Sequence, residues 1–575
     1  MSKSMKHKDN TKYIHIHLVL LPNQLFSLNK IIKKIEETLI IQQTRSTTPT
    51  ETGTASRSES GTGTETKSVA TVSITVLDHP VFYGKRKRIG SLNFNKLKMV
   101  YQHATVLNYL DELHIKSQPV KITNIEHIKQ HQCKSKSPLL SLLTKTTQSI
   151  KTRPLEYLVF FDPVDHQLYD EIHGIIKKSS DTTNKIIYLD SLLFLDTRKD
   201  LEEFHTKHNK KKSFYHASFY AWQKKHLDVL ANTKSYDDQN RNKMPLSVSV
   251  PSLPSTGNSK SKQSRLISQS IAYVNKYFPK NYGDCSGPET LKFPITREDA
   301  VVALRDFCKN RLSAFGKYQD AIDAKGRNFL FHSCISPMLN IGLITPDDVI
   351  SVVGEYYKEH SAVVGIANYE GFMRQVIGWR EYQRYCYLYG YKEMVRGNYF
   401  GNSRKLDKRW YTGDLGVLPV DDAIKMAWHD GYLHHILRLM VVANFMNLRG
   451  IHPDEAYKWF MEFSLDSYDW VMIQNIYGMG MWSDGGLSMR KPYISGDGYI
   501  MKMSTYTKEK DIVNKETGDL EHVGWNTKWY SAYYDFVNRN RDALKGTYYA
   551  GMVKNYDKKS TAEKERIAEV VKGFL

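Results

Sequence analysis

The chain has 575 residues, is 41% hydrophobic and carries a formal charge of +20, so it holds about four average domains or two or three large ones, with an acidic partner such as nucleic acid or a lysine-rich solubilising surface to account for the charge. No apolar run is long enough to span a bilayer. Its five cysteines (Cys133, Cys285, Cys308, Cys334 and Cys386) form no CxxC pair and are odd in number, which argues against a zinc ribbon or disulfide framework and for an intracellular, reducing compartment, nucleus or cytoplasm.

The basic N-terminus MSKSMKHKDNTK lacks a small-residue cleavage site and reads as a solvated tail rather than a signal peptide. Strand patterns follow at 13–21, 71–77, 156–161 and 185–189, with helical patterns at 92–114 and 198–208. Strands alternating with helices predict a Rossmann-like α/β domain with a parallel sheet over 1–241. Residues 44–68, almost all Ser, Thr, Gly and Glu, predict a disordered insertion, and 129–153 a second polar loop. Residues 242–265, rich in Pro, Ser and Gly, read as a linker. From 266 to 575 the pattern is all-α, with helices expected at 297–314, 346–358, 370–390, 421–448, 453–463 and 561–573. Pro453 followed by Asp454 and Glu455 suits a helix start.

Within 368–506, Trp, His, Arg, Tyr and Asn interrupt apolar helical patterns, and such residues destabilise a core unless they are satisfied, so they predict a polar-lined pocket. GxGxxG, Walker A, HExxH and EF-hand motifs are all missing, which removes the usual support for a dehydrogenase, a P-loop NTPase or a zincin. His434 and His435 are adjacent on an expected helix, about 100° apart, and make poor co-ligands for one metal; no metal site is predicted. His434 and Arg438 share a face at i,i+4, and a histidine suits proton transfer. Arg438, in apolar LRLMVV, needs a carboxylate or bound anion, with Asp466 and Asp469 as candidates. Ser333 and Ser336 either cap the helix that follows them or hold a phosphate at its N-terminus.

The stretches FHSCISPMLNIGLITP, EGFMRQVIGWREY, YTGD, YLHHILRLMVVANFMNLRGIHP, QNIYGMGMWSDGG and KPYISGDGYIMKMS, in that order, resemble the photolyase–cryptochrome superfamily. More narrowly they resemble its prokaryotic (6-4) photolyase branch, also called iron–sulfur bacterial cryptochromes and photolyases or photolyase-related proteins. The resemblance covers most of 265–540 and is weaker over 13–245, where LVLLPNQLF, GKRKRIGSLNFNKLK and SFYHASFYAWQKKHLDVL carry it. It implies the photolyase fold, an α/β antenna domain with a helical FAD-binding domain. It further implies that Ser333, Ser336, Arg380, Arg438, Asp466 and Asn475 hold FAD, that His435, His434 and Tyr493 serve catalysis, and that Trp379 lines the substrate pocket. It also implies that Trp459, Tyr468 and Tyr411, or Trp410 beside it, carry electrons. The implied partner is UV-damaged DNA, met by a monomer, with no membrane.

Relatives hold a four-iron cluster on four cysteines. The matching positions fall near Pro419, Thr507, Lys510 and Thr527, none a cysteine, and ligation is normally by thiolate, so no iron–sulfur cluster is expected. Relatives also carry a lumazine-type antenna chromophore, and Asn23 and His79 replace acids there. Phe460 follows Trp459 where relatives often have Tyr, and phenylalanine is a poor electron-hopping station. The leading expectation is a light-dependent (6-4) photolyase, a lyase that splits the UV photoproduct with an electron from reduced FAD. The alternatives are a blue-light cryptochrome without repair and a flavin-free nucleic-acid-binding protein.

Overall fold

A computed structural model describes residues 13–46, 69–115, 121–129, 142, 156–178, 185–208, 213–254, 261–516, 520–547 and 549–574. The expected insertion over 44–68 and the polar loop over 129–153 lie almost wholly outside the described residues. The described residues form an α/β region with a parallel sheet and a larger helical part. The chain divides into two compact units, Met1–Tyr83 with Val106–Leu192 and Ile341–Leu343, and Gly84–Thr105 with Leu193–Asn340 and Ile344–Leu575.

The first unit is built on five strands, β1 (Tyr13–Leu20), β2 (Val69–Leu77), β3 (Lys121–Ile128), β4 (Glu156–Phe161) and β5 (Ile186–Leu189), all parallel in the order β3-β2-β1-β4-β5. β1 pairs Tyr13 with Val69 and His15 with Glu156. Strands covered on both faces read as near-continuous apolar runs. Val19, Leu77, Leu158 and Phe160 are buried with Ile172 and Ile175 of the helix His166–Lys178.

The second unit is helical, with two short antiparallel ribbons. The division differs from the expected ranges, because 84–105 and 193–241 fold with the helices. Arg86 lies 3.6 Å from Asp469, Arg88 2.7 Å from Asp454, and Leu195 N–H donates to Glu381. The described part of the expected linker is pinned as well: Met244 packs with Tyr318 and Leu330, and Asn242 N–H donates to the Lys317 carbonyl at 2.7 Å. Helix starts follow local chemistry. Thr345 and Asp348 form a capping box ahead of Pro346–Val364, and Pro453, Asp454 and Glu455 open Pro453–Phe463.

The expected helix 421–448 is broken. Leu418–Asp430 ends at Gly431, in the left-handed region at φ 60°, and the chain turns helical again only from His435. A Cβ on Gly431 would sit 2.0 Å from the Leu465 side chain, so the turn requires glycine. His434 therefore lies at a helix start rather than within a helix, and its carbonyl accepts from Arg438 N–H. The expected helix 297–314 also divides, into Arg297–Asn310 and Leu312–Tyr318. No helix among the described residues is long and apolar enough to cross a membrane.

Candidate functional site

A cavity of about 570 Å³ opens in the second unit, within the range of cofactor and ligand pockets. Three π-helical segments build much of its wall: Arg374–Arg380, Leu437–Ala443 and Gln474–Gly480. They supply Trp379 and Arg380, Arg438 and Met440, and Asn475 and Ile476. A π turn inserts a residue into the helical ladder and turns the following side chains out of α phase, a device common at functional sites. Gly480 lets two of these segments approach closely, since a Cβ there would meet the Ala443 Cβ at 2.9 Å.

The cavity brings together Ser333, Ser336, Trp379, Arg380, His435, Arg438, Asp466, Asn475 and Tyr493. Asp466, not Asp469, pairs with Arg438: two parallel hydrogen bonds of 2.9 and 3.1 Å join guanidinium and carboxylate, and Arg438 Nε donates to the Leu433 carbonyl. Asp469 instead accepts from the Tyr387 and Tyr457 hydroxyls. Ser336 donates to Asp466 at 2.6 Å rather than capping its short helix, and Ser464 donates to the other carboxylate oxygen. Burial pushes the Asp466 carboxyl up, but Arg438 and the two serines outweigh it and hold the group below its ordinary value. Lys98, from the basic segment of the first hundred residues, is buried beneath this loop. It donates to the Met461 and Ser467 carbonyls at 2.7 and 2.8 Å, and burial lowers it to about 7 against the pull of Asp466.

Arg380 reaches Asn340 at 3.2 Å and the Leu193 carbonyl, and its guanidinium lies over the Phe194 and Trp470 rings. Asn475 donates to the Val471 carbonyl at 2.8 Å. Its Oδ1 and the Arg380 Nε are buried without hydrogen-bond partners in the cavity wall. Orphaned polar atoms of this kind are costly unless a ligand satisfies them.

Three histidines follow one another inward. His435 lines the cavity with its side chain exposed to the open space, and desolvation by the surrounding walls, Arg438 and Arg241 lower it to about 4. His332 lines the cavity too, and its ring stacks on His434 at 4.5 Å. His434 does not line the cavity; it is 1% exposed and neither ring nitrogen has a partner. Burial, then His332 and His435, keep it neutral, well below the ordinary 6.5. A histidine depressed in the folded state leaves stability intact above the unfolded value and removes it as pH falls below that value, here about 6.5. Stability should therefore decline from pH 7 to 5, with about 1.4 kcal/mol per pH unit for each histidine kept neutral. Thermal melting of His434→Leu should show a slope shallower by one proton; an unchanged slope would remove His434 from this account.

Trp379, which lines the cavity, stacks on His216 at 3.7 Å. Tyr493 also lines the cavity, its phenol pushed up by burial and by Asp320 and Asp237 against Arg241. The electron-transfer candidates lie outside the cavity wall. Trp459 donates its indole N–H to the Trp410 carbonyl, Tyr411 reaches Glu462, and Tyr468 lies near Lys98. Sequence reasoning missed His332, although it adjoins Ser333 in a quoted motif, and missed Arg241, Asp320 and Arg374. Arg241, at φ 71°, lies 3.7 Å from Asp320 and 2.6 Å from Asp237, which Arg374 also binds. Burial raises Asp320 to about 6. Among the described residues, no three His, Cys, Asp or Glu side chains are arranged to hold a metal ion.

The sequence model of the family described as deoxyribodipyrimidine photo-lyase-related protein matches residues 77–289. A (6-4) photolyase of Agrobacterium fabrum is 36% identical over 285 residues, 49% of this chain and 54% of that protein. Two solved structures share the fold. A bacterial class III photolyase from Agrobacterium tumefaciens has a TM-score of 0.51 at 14% identity, over 98% of this chain and 93% of its own. A Synechocystis cryptochrome has the same TM-score at 13% identity, over 98% and 95%.

The chain has the photolyase–cryptochrome fold.

The alignment spans about half the length of the (6-4) photolyase. An uncharacterised protein of Acanthamoeba polyphaga mimivirus is 48% identical over 107 residues, 19% of this chain and 76% of the viral protein.

Proposed function

We propose that this protein is a light-dependent DNA-repair flavoprotein of the (6-4) photolyase type. The observation that carries the reading is the convergence of nine motif residues on one cavity, with unpartnered Asn475 Oδ1 and Arg380 Nε in its wall. These residues fit an FAD. Arg380 and Asn475 offer the orphaned polar atoms, the Arg438–Asp466 pair offers a fixed dipole, and Ser333 and Ser336 offer hydroxyls at a helix start. The flavin, when bound, supplies the light-driven electron. The chain's own residues do the rest. Trp379, clamped by His216, presents a ring face on which an unstacked base can rest, and extrusion of a damaged base costs a few kcal/mol. Tyr493 holds its proton at working pH, and His435 donates one once substrate charge has raised it. Cationic groups at the mouth, Arg241 and Lys491 among them, would meet phosphates, so DNA affinity should fall with salt.

The decisive experiment is illumination of the reduced protein with DNA carrying either a (6-4) photoproduct or a cyclobutane dimer. Restoration of the first alone is expected; restoration of the dimer alone would refute the lesion assignment. A blue-light sensor without repair is favoured by one observation, that His435 is neutral in the free cavity, and bound flavin with neither lesion repaired would establish it.

We extend the proposal to two cofactors. The positions expected for cluster cysteines do not fit iron–sulfur ligation. Trp525 donates its indole N–H to the Thr507 carbonyl and its backbone N–H to Glu509, while Asp511 joins Thr527 to Arg566 at 3.1 and 2.7 Å. Hydrogen bonds thus tie the segment that thiolates and iron would tie. The purified protein should contain no stoichiometric iron by elemental analysis; one cluster's worth would overturn this. For a lumazine-type antenna, Asn23 and His79 follow β1 and β2 at the carboxyl edge of the sheet, where such folds bind ligands, and absorbance of the extracted chromophores tests it.

A further inference from the structure

A series of aromatic rings leads away from the cavity to the surface of the second unit. Phe460 lines the cavity, and its ring centre lies 5.0 Å from that of fully buried Trp459. Trp459 meets Trp428 edge-on at 6.3 Å. Trp428 lies 5.8 Å from Tyr411 and 5.2 Å from Tyr282, and the two tyrosines stack at 4.9 Å. Tyr282 is 40% exposed. Glu462 sits beside this series, mostly buried. Its Oε2 accepts from the Tyr411 hydroxyl at 3.4 Å, and its Oε1 accepts from the Asn93 N–H at 2.8 Å.

Indoles and phenols behave differently as electron donors. An oxidised indole can keep its N–H proton and persist as a cation. An oxidised phenol sheds its O–H proton as the electron leaves, so it is an efficient donor where a base already accepts that proton. Tyr411 has such a base.

We propose that Glu462 is the proton acceptor for Tyr411, which makes Tyr411 the terminal donor for electrons passing through Trp428 and Trp459 to the photo-oxidant in the cavity. The proposal rests on the flavin reading only for the origin of the electron hole. One electron leaves Trp459, one from Trp428 replaces it, and one from Tyr411 replaces that. The Tyr411 O–H bond breaks and its proton bonds to Glu462 Oε2, leaving a neutral tyrosyl radical and a neutral carboxylic acid. A thiolate in solution, reaching the exposed Tyr282 stacked on Tyr411, returns one electron and becomes a thiyl radical, while Glu462 returns the proton. Burial raises the Glu462 carboxyl to about 7, opposed by Asn93 N–H, the Tyr411 hydroxyl and Lys458 and assisted by Glu455, so mildly alkaline buffer keeps the acceptor ionised.

Electron paramagnetic resonance after a light flash on the full-length protein, without thiol, should record a neutral tyrosyl radical. E462Q, which keeps the side-chain shape, should lose that signal and leave a tryptophan radical; Y411F should do the same, and W428F should lose the tyrosyl signal. In heavy water the wild-type tyrosyl signal should form more slowly. An undiminished tyrosyl signal in E462Q, or a formation rate unchanged in heavy water, overturns the proposal. The same variants exposed to a dissolved ruthenium polypyridyl photo-oxidant test the Tyr411–Glu462 pair without any flavin. A Glu462-dependent tyrosyl signal from that oxidant, with none from light on the protein alone, upholds the pair and removes the flavin reading.

Discussion

Asp466→Ala is expected to lower stability by about 3–5 kcal/mol, the usual loss when one partner of a buried ion pair is removed, and to abolish flavin retention. The carboxylate accepts two hydrogen bonds from Arg438 and one each from Ser336 and Ser464. Its loss strands the Arg438 guanidinium among Tyr432 and Phe463, over whose rings it lies. Urea unfolding and the visible absorbance of the purified variant read the two effects. Replacing both partners, Arg438→Met with Asp466→Leu, separates them, because an apolar pair of similar volume is often neutral or better for stability. The double variant should recover most of the unfolding free energy and still fail to hold flavin. An unfolding midpoint unchanged in Asp466→Ala would show that the pair is not a structural keystone.

On the proposed repair reading, His435→Ala should keep flavin and lose repair by about 10²–10⁴-fold, the usual contribution of a positioned acid or base. The ring borders the cavity, and its low value, near 4 in the free protein, sets the sign of the pH effect. A proton donor with a depressed value is charged only below it. Repair should therefore fall as pH rises through whatever value the DNA phosphates impose in the complex, and that value lies above 4 because a nearby negative charge favours the protonated ring. Tyr493→Phe is the companion test. Repair that survives His435→Ala and disappears in Tyr493→Phe would transfer the acid role to the phenol, which needs no substrate charge to keep its proton. Single-turnover repair measured across pH distinguishes the two.

In the first unit β1, β2, β4 and β5 fall where strand patterns place them, β4 at the expected 156–161, whereas β3, with Lys121, Asn124, Glu126 and His127 in it, carries no apolar run and is not among the expected strands. The helices Arg198–His208, Pro453–Phe463 and Thr561–Gly573 begin and end where caps and patterns place them. Local signals suffice there because each segment's own residues decide the outcome. The site yields less to the same reasoning. A 3.6-residue period carries His434 and Arg438 onto one helix face. Gly431 and the π segment Leu437–Ala443 undo that, turning His435 and Arg438 to the cavity and His434 into the protein behind it. Lys98 lies 368 residues before Asp466 in sequence, and no local pattern joins them.

By itself the sequence determined an α/β region, a helical region, the motifs that resemble those of photolyases and the absence of cysteines at the expected cluster positions. Those properties are carried by residue types and short-range spacing. Only the tertiary structure decided that Asp469 accepts from the Tyr387 and Tyr457 hydroxyls, that 84–105 and 193–241 fold with the helices, and that Glu462 lies against the Tyr411 hydroxyl. Each depends on contacts between distant segments, where burial selects which carboxylate can be satisfied.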